Sequence, residues 1–223
     1  MIYLLLRGFC WVALRILFRL FGGYRIEGRG NVPRTGGLLI AANHVSDADP
    51  LALGAALPRF CYFMGKEELF QIRLIGPLMR IMRSFPIKRY TADRAALERG
   101  IELLSRGEAL VVFPESRISE NAQLQELYPG AIMMASRAGA SILPAVLIGT
   151  DGVVPYGHLM PRYSRRGVVV RFGRPMTAQE LTGGARGGEG YRRGAKRLRD
   201  VLQELLESGG SHSPPHETET APT

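Results

Sequence analysis

Short apolar runs alternate with helically spaced stretches along most of this chain, and the alternation predicts an α/β fold. Apolar runs at residues 38–42, 60–64, 109–113, 142–148 and 168–172 read as strands. Apolar positions at helical spacing predict helices over 50–57, 67–82, 92–105 and 130–138. The third of these has end signals, with Thr91 as cap, Asp93 in the first turn and Gly107 past the end. Residues 191–206 put Ala195, Leu198, Leu202 and Leu205 on one face and Arg192, Arg193, Lys196 and Arg199 mostly elsewhere. That is an amphipathic helix with a basic flank, either docked with its charges in solvent or making a membrane contact. From Glu207 onward the Ser, Gly, Pro, His and Thr content supports no core. The expected architecture is one α/β domain, a central mostly parallel or mixed sheet flanked by helices, preceded by an amphipathic membrane-interface helix. Its segments are the helix at 1–22, the main domain at 23–176, a helical extension at 177–208 and a disordered tail at 209–223.

The first 21 residues are dense in Leu, Ile, Phe and Trp but interrupted by Arg7, Arg15 and Arg19, so no uninterrupted span of membrane length exists. At about 100° per residue the arginines fall within roughly 120° of a helix, leaving a broad apolar face with Leu6, Phe9 and Leu17. A helix lying in the membrane interface has this pattern, its arginines reaching phosphate. A helix packed on the protein's own core is the alternative. A secretory signal would carry its charge ahead of the apolar stretch and a small-residue cleavage site after it, and neither is clear.

A net charge of +9 calls for an anionic partner: phospholipid headgroups, a phosphorylated substrate or nucleic acid. Nucleic acid ranks last, because no zinc finger or helix-turn-helix signature occurs and aromatics are not interleaved with the basic clusters. Cys10 and Cys61 are far apart in apolar surroundings and read as reduced packing residues, consistent with a cytoplasmic location. His44, His158, His212 and His216 include no pair at ligand spacing inside the folded region, so no metal is expected.

Three segments carry candidate chemistry. Asn43-His44-Val45-Ser46-Asp47-Ala48-Asp49-Pro50 follows an apolar strand and precedes a helix, the place where α/β sheets carry active sites. An imidazole there could take a proton from a hydroxyl while a carboxylate five residues on fixes its tautomer. Alternatively, His44 is a loop histidine and Asp47 or Asp49 caps the helix beginning near Pro50. Val111-Val112-Phe113-Pro114-Glu115-Ser116-Arg117 ends a second strand, and its carboxylate and guanidinium could hold a polyol phosphate or pair with each other. The adjacent cations of Phe85-Pro86-Ile87-Lys88-Arg89 could bind phosphate or be solvated surface charge.

Taken in order along one chain, these motifs resemble the glycerophospholipid acyltransferases of the lysophosphatidic acid acyltransferase type. That family carries Asn-His with an Asp five residues after the His, matched by Asn43, His44 and Asp49. Its second motif, a run ending in Arg, is matched by Phe85 to Arg89, with Lys88 where an acidic residue is frequent. Phe113, Pro114, Glu115 and Arg117 match its Phe-Pro-Glu-Gly with a nearby Arg, Ser116 replacing the glycine. An apolar segment around Pro144, preceded by Gly130, matches the fourth. The resemblance covers roughly residues 23–174. Arg117 lies two residues beyond Glu115 where many members have three, and the order here is similar to domains acting on lysophosphatidylethanolamine, which leaves the acceptor headgroup open.

What the resemblance implies is transfer of a fatty acyl group from an acyl thioester, acyl-coenzyme A or acyl-carrier protein, to the free hydroxyl of a lysophospholipid such as 1-acylglycerol-3-phosphate. His44 oriented by Asp49 would be the catalytic pair, with Glu115, Arg117, Arg89, Asn43 and Lys88 binding substrate and no cofactor beyond the acyl donor. Backbone N–H groups at the start of the helix after Asp49 would meet the oxyanion. No adenylate-forming synthetase domain lies in these residues, so the donor is expected already activated, and the protein is expected peripheral or monotopic on the cytoplasmic face of the membrane. Rival readings are an acyl thioesterase or esterase, disfavoured by the lack of a Gly-x-Ser-x-Gly elbow, and a non-catalytic lipid-binding protein, disfavoured by the intact His44 and Asp49.

Overall fold

The computed structural model describes residues 2–73, 75–88, 93–158 and 160–208. In chain order its elements are α1 (Ile2–Leu20), β1 (Tyr24–Glu27), β2 (Leu38–Ala42), α2 (Asp49–Ala56), β3 (Cys61–Lys66), α3 (Glu67–Gln71), α4 (Ile75–Ile81), β4 (Ser84–Ile87), α5 (Arg94–Ser105), β5 (Ala109–Val112), α6 (Gly130–Ala138), β6 (Ser141–Ile148), α7 (Thr150–Val153), β7 (Val168–Phe172), α8 (Ala178–Thr182) and α9 (Gly187–Glu207). The strands form one mixed sheet in the order β1-β7-β6-β2-β5-β3-β4. Among the described strands only β6 and β7 pair antiparallel, so β2 to β6 all end at the same edge.

Strand β2 is central because it can be buried on both faces. Its sequence LLIAA is apolar throughout and every residue is buried, as a strand covered by helices on two sides requires. Alternation along the strand sends Leu38, Ile40 and Ala42 into a core with Phe18 of α1 and Ala52 and Leu53 of α2. Leu39 and Ala41 point the other way, to Leu104 of α5, Ile132 of α6 and Leu198 and Leu202 of α9. Two cores thus clamp the strand that carries the histidine segment.

Helix α1 divides its apolar surface between two environments. Trp11 and Phe18 face α2, where a Cβ on Gly54 would stand 2.2 Å from the Trp11 ring. Only glycine allows that approach. Arg15 turns inward as well, its Nε donating to the carbonyl of Ala55 at 2.5 Å, so it does not reach outward to phosphate as its place in the helix pattern predicts. The outward side carries Phe9, Val12, Ile16, Leu17 and Leu20, with Phe9 72% and Leu20 70% exposed. Among the described residues no helix is long and apolar enough to cross a membrane.

Several boundaries differ from the sequence pattern for identifiable reasons. Residues 67–82 form two helices, because Pro77 is tolerated only in a first turn and sits in that of α4. Helix α5 is capped by Asp93, whose carboxylate accepts from the N–H of Ala96 at 3.0 Å and from that of Lys88 at 2.8 Å; Thr91 lies outside the described residues. Helix α9 starts at Gly187, before residue 191, and α8 carries a capping box of Thr177 and Glu180. Strands β1 and β4 occupy the two sheet edges, where short segments with little apolar alternation suffice. The tail expected at 209–223 lies outside the described residues.

Candidate active site

The segment after β2 leaves the sheet with its side chains already committed. Asn43 is expected among the substrate contacts, but its amide is taken: Nδ2 donates to the Leu147 carbonyl at 3.0 Å and Oδ1 accepts the Leu147 N–H at 2.7 Å. It extends the β2 to β6 pairing beyond the strand end, which fixes where His44 begins. His44 Nδ1 stands 2.9 Å from Asp49 Oδ2. A carboxylate has no proton to give, so Nδ1 carries the hydrogen and Nε2 is left as the basic nitrogen. Among the described residues Nε2 has no hydrogen-bond partner.

Asp49 is the first residue of α2 and is 0% exposed. Its Oδ2 also accepts the N–H groups of Val45 at 2.7 Å and Ser46 at 2.8 Å, so one oxygen takes three donors while buried Oδ1 has none. The spacing of His44 and Asp49 therefore closes a tight turn around a single oxygen. The same turn occupies the N–H groups that lead into this helix, and Pro50 has none to give. Ala48 N–H goes to Ser46 Oγ and Asp49 N–H to the Ser46 carbonyl, so the N–H groups of Val45, Ser46, Ala48 and Asp49 all point into the loop.

The loop after β5 locks the histidine from the other side. Glu115, expected to contact substrate, is 2% exposed and spends both oxygens on backbone. Oε1 accepts the N–H of His44 at 2.8 Å and Oε2 that of Gln125 at 2.8 Å. The His44 carbonyl accepts the N–H of Ser119 at 2.8 Å, and the Phe113 ring stacks on the imidazole with centroids 4.1 Å apart. Burial pushes the Glu115 carboxyl above the usual carboxylate range, against the two N–H donors that pull it down. Arg199 of α9 steadies the same loop, donating to the carbonyls of Leu124 at 3.1 Å and Gln125 at 3.2 Å.

The guanidinium next to this loop is held far less. Arg117 is exposed, two residues past Glu115, with no ion pair among the described residues. Ser116 between them has φ 61°, a left-handed backbone that glycine adopts without cost. Lys88 follows the edge strand β4, three strands from β2 along the same sheet edge. It borders a cavity of ≈ 360 Å³ with Glu67, Phe85, Asp93 and Arg99. Arg89 lies outside the described residues. The structure therefore unites His44, Asp49 and Glu115, puts Arg117 beside them on the surface and leaves Lys88 apart. Among the described residues no three His, Cys, Asp or Glu side chains are grouped to hold a metal.

Some positions that build the site carry only a weak sequence signal or none. Phe113 stands out only as part of its motif, its place before Pro114-Glu115 at a strand end being the signal that marks it. Ser119 and Gln125 act through backbone N–H groups, which every residue type supplies, so no sequence signal points to them. Ser46 holds the turn together, its hydroxyl donating to the Val154 carbonyl at 2.7 Å.

Comparison with known proteins bears on this geometry. Residues 23–148 match the model of a family described as Acyltransferase. The 1-acyl-sn-glycerol-3-phosphate acyltransferase of Bacillus subtilis (strain 168) is 33% identical over 143 residues, 63% of this chain and 70% of that protein. A protein of the same name from Streptococcus pneumoniae is 26% identical over 210 residues, 93% of this chain and 74% of its own length. The chloroplastic LPAT1 of Arabidopsis thaliana, a 1-acyl-sn-glycerol-3-phosphate acyltransferase, is 32% identical over 135 residues, and that match spans 38% of its length. Among solved structures, the crystal structure of the 1-acyl-sn-glycerophosphate (LPA) acyltransferase PlsC from Thermotoga maritima has the same fold, with a TM-score of 0.69 at 22% identity over 92% of this chain and 82% of that one.

Proposed function

The chain belongs to the acyltransferase family, and from that premise we propose that it transfers a fatty acyl group from an acyl thioester to the free hydroxyl of 1-acylglycerol-3-phosphate at a membrane surface. The observation that carries the reading is the contact of His44 Nδ1 with Asp49 Oδ2, which presents Nε2 as a base with no competing partner among the described residues. The names of the similar proteins from Bacillus subtilis and Streptococcus pneumoniae support the acceptor.

In this mechanism the acceptor hydroxyl gives its proton to His44 Nε2 as its oxygen attacks the thioester carbonyl. Asp49 stabilises the imidazolium. The tetrahedral intermediate collapses with cleavage of the carbon–sulfur bond, and the thiolate leaves with the proton held on Nε2. No acyl-enzyme forms. Arg117 and Arg89 would pair with the acceptor phosphate, while Glu115 would act on the backbone of His44. The outward side of α1, apolar from Phe9 to Leu20, supports residence at the lipid surface from which such an acceptor is drawn.

The test is to incubate the purified protein with one labelled acyl-coenzyme A and a panel of lysophospholipids, reading products by mass spectrometry. The expected result is diacyl product that depends on 1-acylglycerol-3-phosphate. Label appearing as free fatty acid whatever the acceptor would make the protein a thioesterase. Preference for lysophosphatidylethanolamine would keep the chemistry and change the headgroup.

A further inference from the structure

The segment between α7 and β7, residues 154–167, is absent from every motif discussed above and has an unusual surface. Tyr156, Met160 and Tyr163 stand in solvent, Met160 being 80% exposed. Arg162, Arg165 and Arg166 are exposed among them, with no ion pair among the described residues. The segment contains no Asp or Glu. Large apolar and aromatic groups interleaved with guanidinium groups are well matched to the boundary between headgroups and acyl chains.

The two ends of the segment are tied to the places a lipid-handling enzyme would need to connect. At its start, the Val154 carbonyl accepts from Ser46 Oγ at 2.7 Å, inside the turn that holds His44 and Asp49. Toward its end, the Ser164 N–H donates to the Phe21 carbonyl at 3.0 Å, directly after α1. The chain is packed so closely there that a Cβ on Gly22 would stand 1.8 Å from the Ser164 carbonyl oxygen. The aromatic and basic segment therefore begins at the catalytic turn and returns to the chain directly after α1, on which Leu17 and Leu20 are exposed.

We propose that residues 154–158 and 160–167 form a second membrane contact, a loop whose arginines bind the phosphates of anionic lipids while Tyr156, Met160 and Tyr163 insert at headgroup depth. With α1 it seats the molecule on two points, with the catalytic turn tied to the contact. The inference rests on the membrane reading of α1. An acidic acyl-carrier protein could also recognise arginines, but interleaved aromatics on a segment tied to the end of a helix with an exposed apolar side favour lipid.

Sedimentation with vesicles tests it, using phosphatidylcholine alone and phosphatidylcholine mixed with phosphatidylglycerol. Wild-type protein should bind the anionic vesicles more tightly, and raised salt should remove the difference. Replacing all three arginines, Arg162→Gln, Arg165→Gln and Arg166→Gln, should weaken binding to anionic vesicles on the order of 100-fold and leave neutral vesicles unaffected. Replacing Tyr156→Ser, Met160→Ser and Tyr163→Ser should weaken both, at an unchanged thermal midpoint. If both sets bind like wild type while Phe9→Ser with Leu20→Ser releases the protein, the loop proposal falls and the α1 reading stands. If wild type binds neither vesicle, both fall. Vesicle binding retained in the arginine variant, with a raised KM for acyl-carrier protein but not for acyl-coenzyme A, would make the loop a carrier-docking site and overturn the proposal.

Discussion

His44 and Arg117 sit on neighbouring loops at opposite extremes of restraint. The histidine is fixed through its N–H, its carbonyl, its Nδ1 and one face of its ring; the arginine is exposed with no ion pair among the described residues. Under the proposed mechanism, the difference teaches how the site divides labour. A general base gains by being oriented before substrate arrives, because reorientation during the reaction would raise the barrier. A phosphate contact needs no such setting and is better left unpaired, since an internal partner would have to be displaced. Changes on the held side should therefore act on turnover, and changes on the open side on acceptor binding.

The most severe break in this division is His44→Ala, which should lower turnover by about 10² to 10⁴ while the protein stays folded. Near-normal turnover in a steady-state assay would end the mechanism. Glu115→Gln comes next. Its amide cannot accept both backbone N–H groups, so turnover should fall on the order of 10- to 100-fold with the acceptor KM nearly constant. A raised KM instead would return Glu115 to the substrate side. The same residue sets a pH signature. Because burial raises the Glu115 pKa in the folded protein, its contribution to stability is fully present below the ordinary glutamate value and is lost as pH rises through the raised one. Thermal midpoints should decline across that window in wild type and flatten in Glu115→Gln.

On the open side, Arg117→Ala should raise the acceptor KM by about tenfold and change turnover little. An unaltered acceptor dependence would make the arginine structural. The smallest effect expected is that of Ser116→Gly. Relief of the left-handed backbone, about 1–2 kcal/mol, is partly offset by the entropy of glycine, about 0.5–1 kcal/mol. A net gain of roughly 0.5 kcal/mol should lift the thermal midpoint slightly. A lowered midpoint would show that the serine hydroxyl holds the loop.

Strands buried on both faces were legible as apolar runs, and β2 and β7 lie over residues 38–42 and 168–172 as read. Helix α6 likewise spans 130–138. Edge strands were not legible: β1 has one inward aliphatic residue, Ile26, and β4 contains Pro86, which only an edge tolerates. At the site, residue types that can bear charge were legible, and their directions were not. Glu115 reads as a ligand for substrate because glutamate seldom spends both oxygens on backbone inside a protein. Only the fold brings the N–H groups of His44 and Gln125 to it. Asn43 was obscured in the same way by Leu147, far along the chain.

The grip of Arg199 on the loop between β5 and α6 makes the smallest working unit larger than its recognisable signature. The matched family segment stops at residue 148, yet β7, α8 and α9 lie beyond it, and α9 reaches back to brace the loop that holds His44. A cassette trimmed to the signature and grafted into another relative would keep every diagnostic motif. It would also expose Ile132 and Leu39, which Leu198 and Leu202 cover, and leave the imidazole on an unbraced hinge.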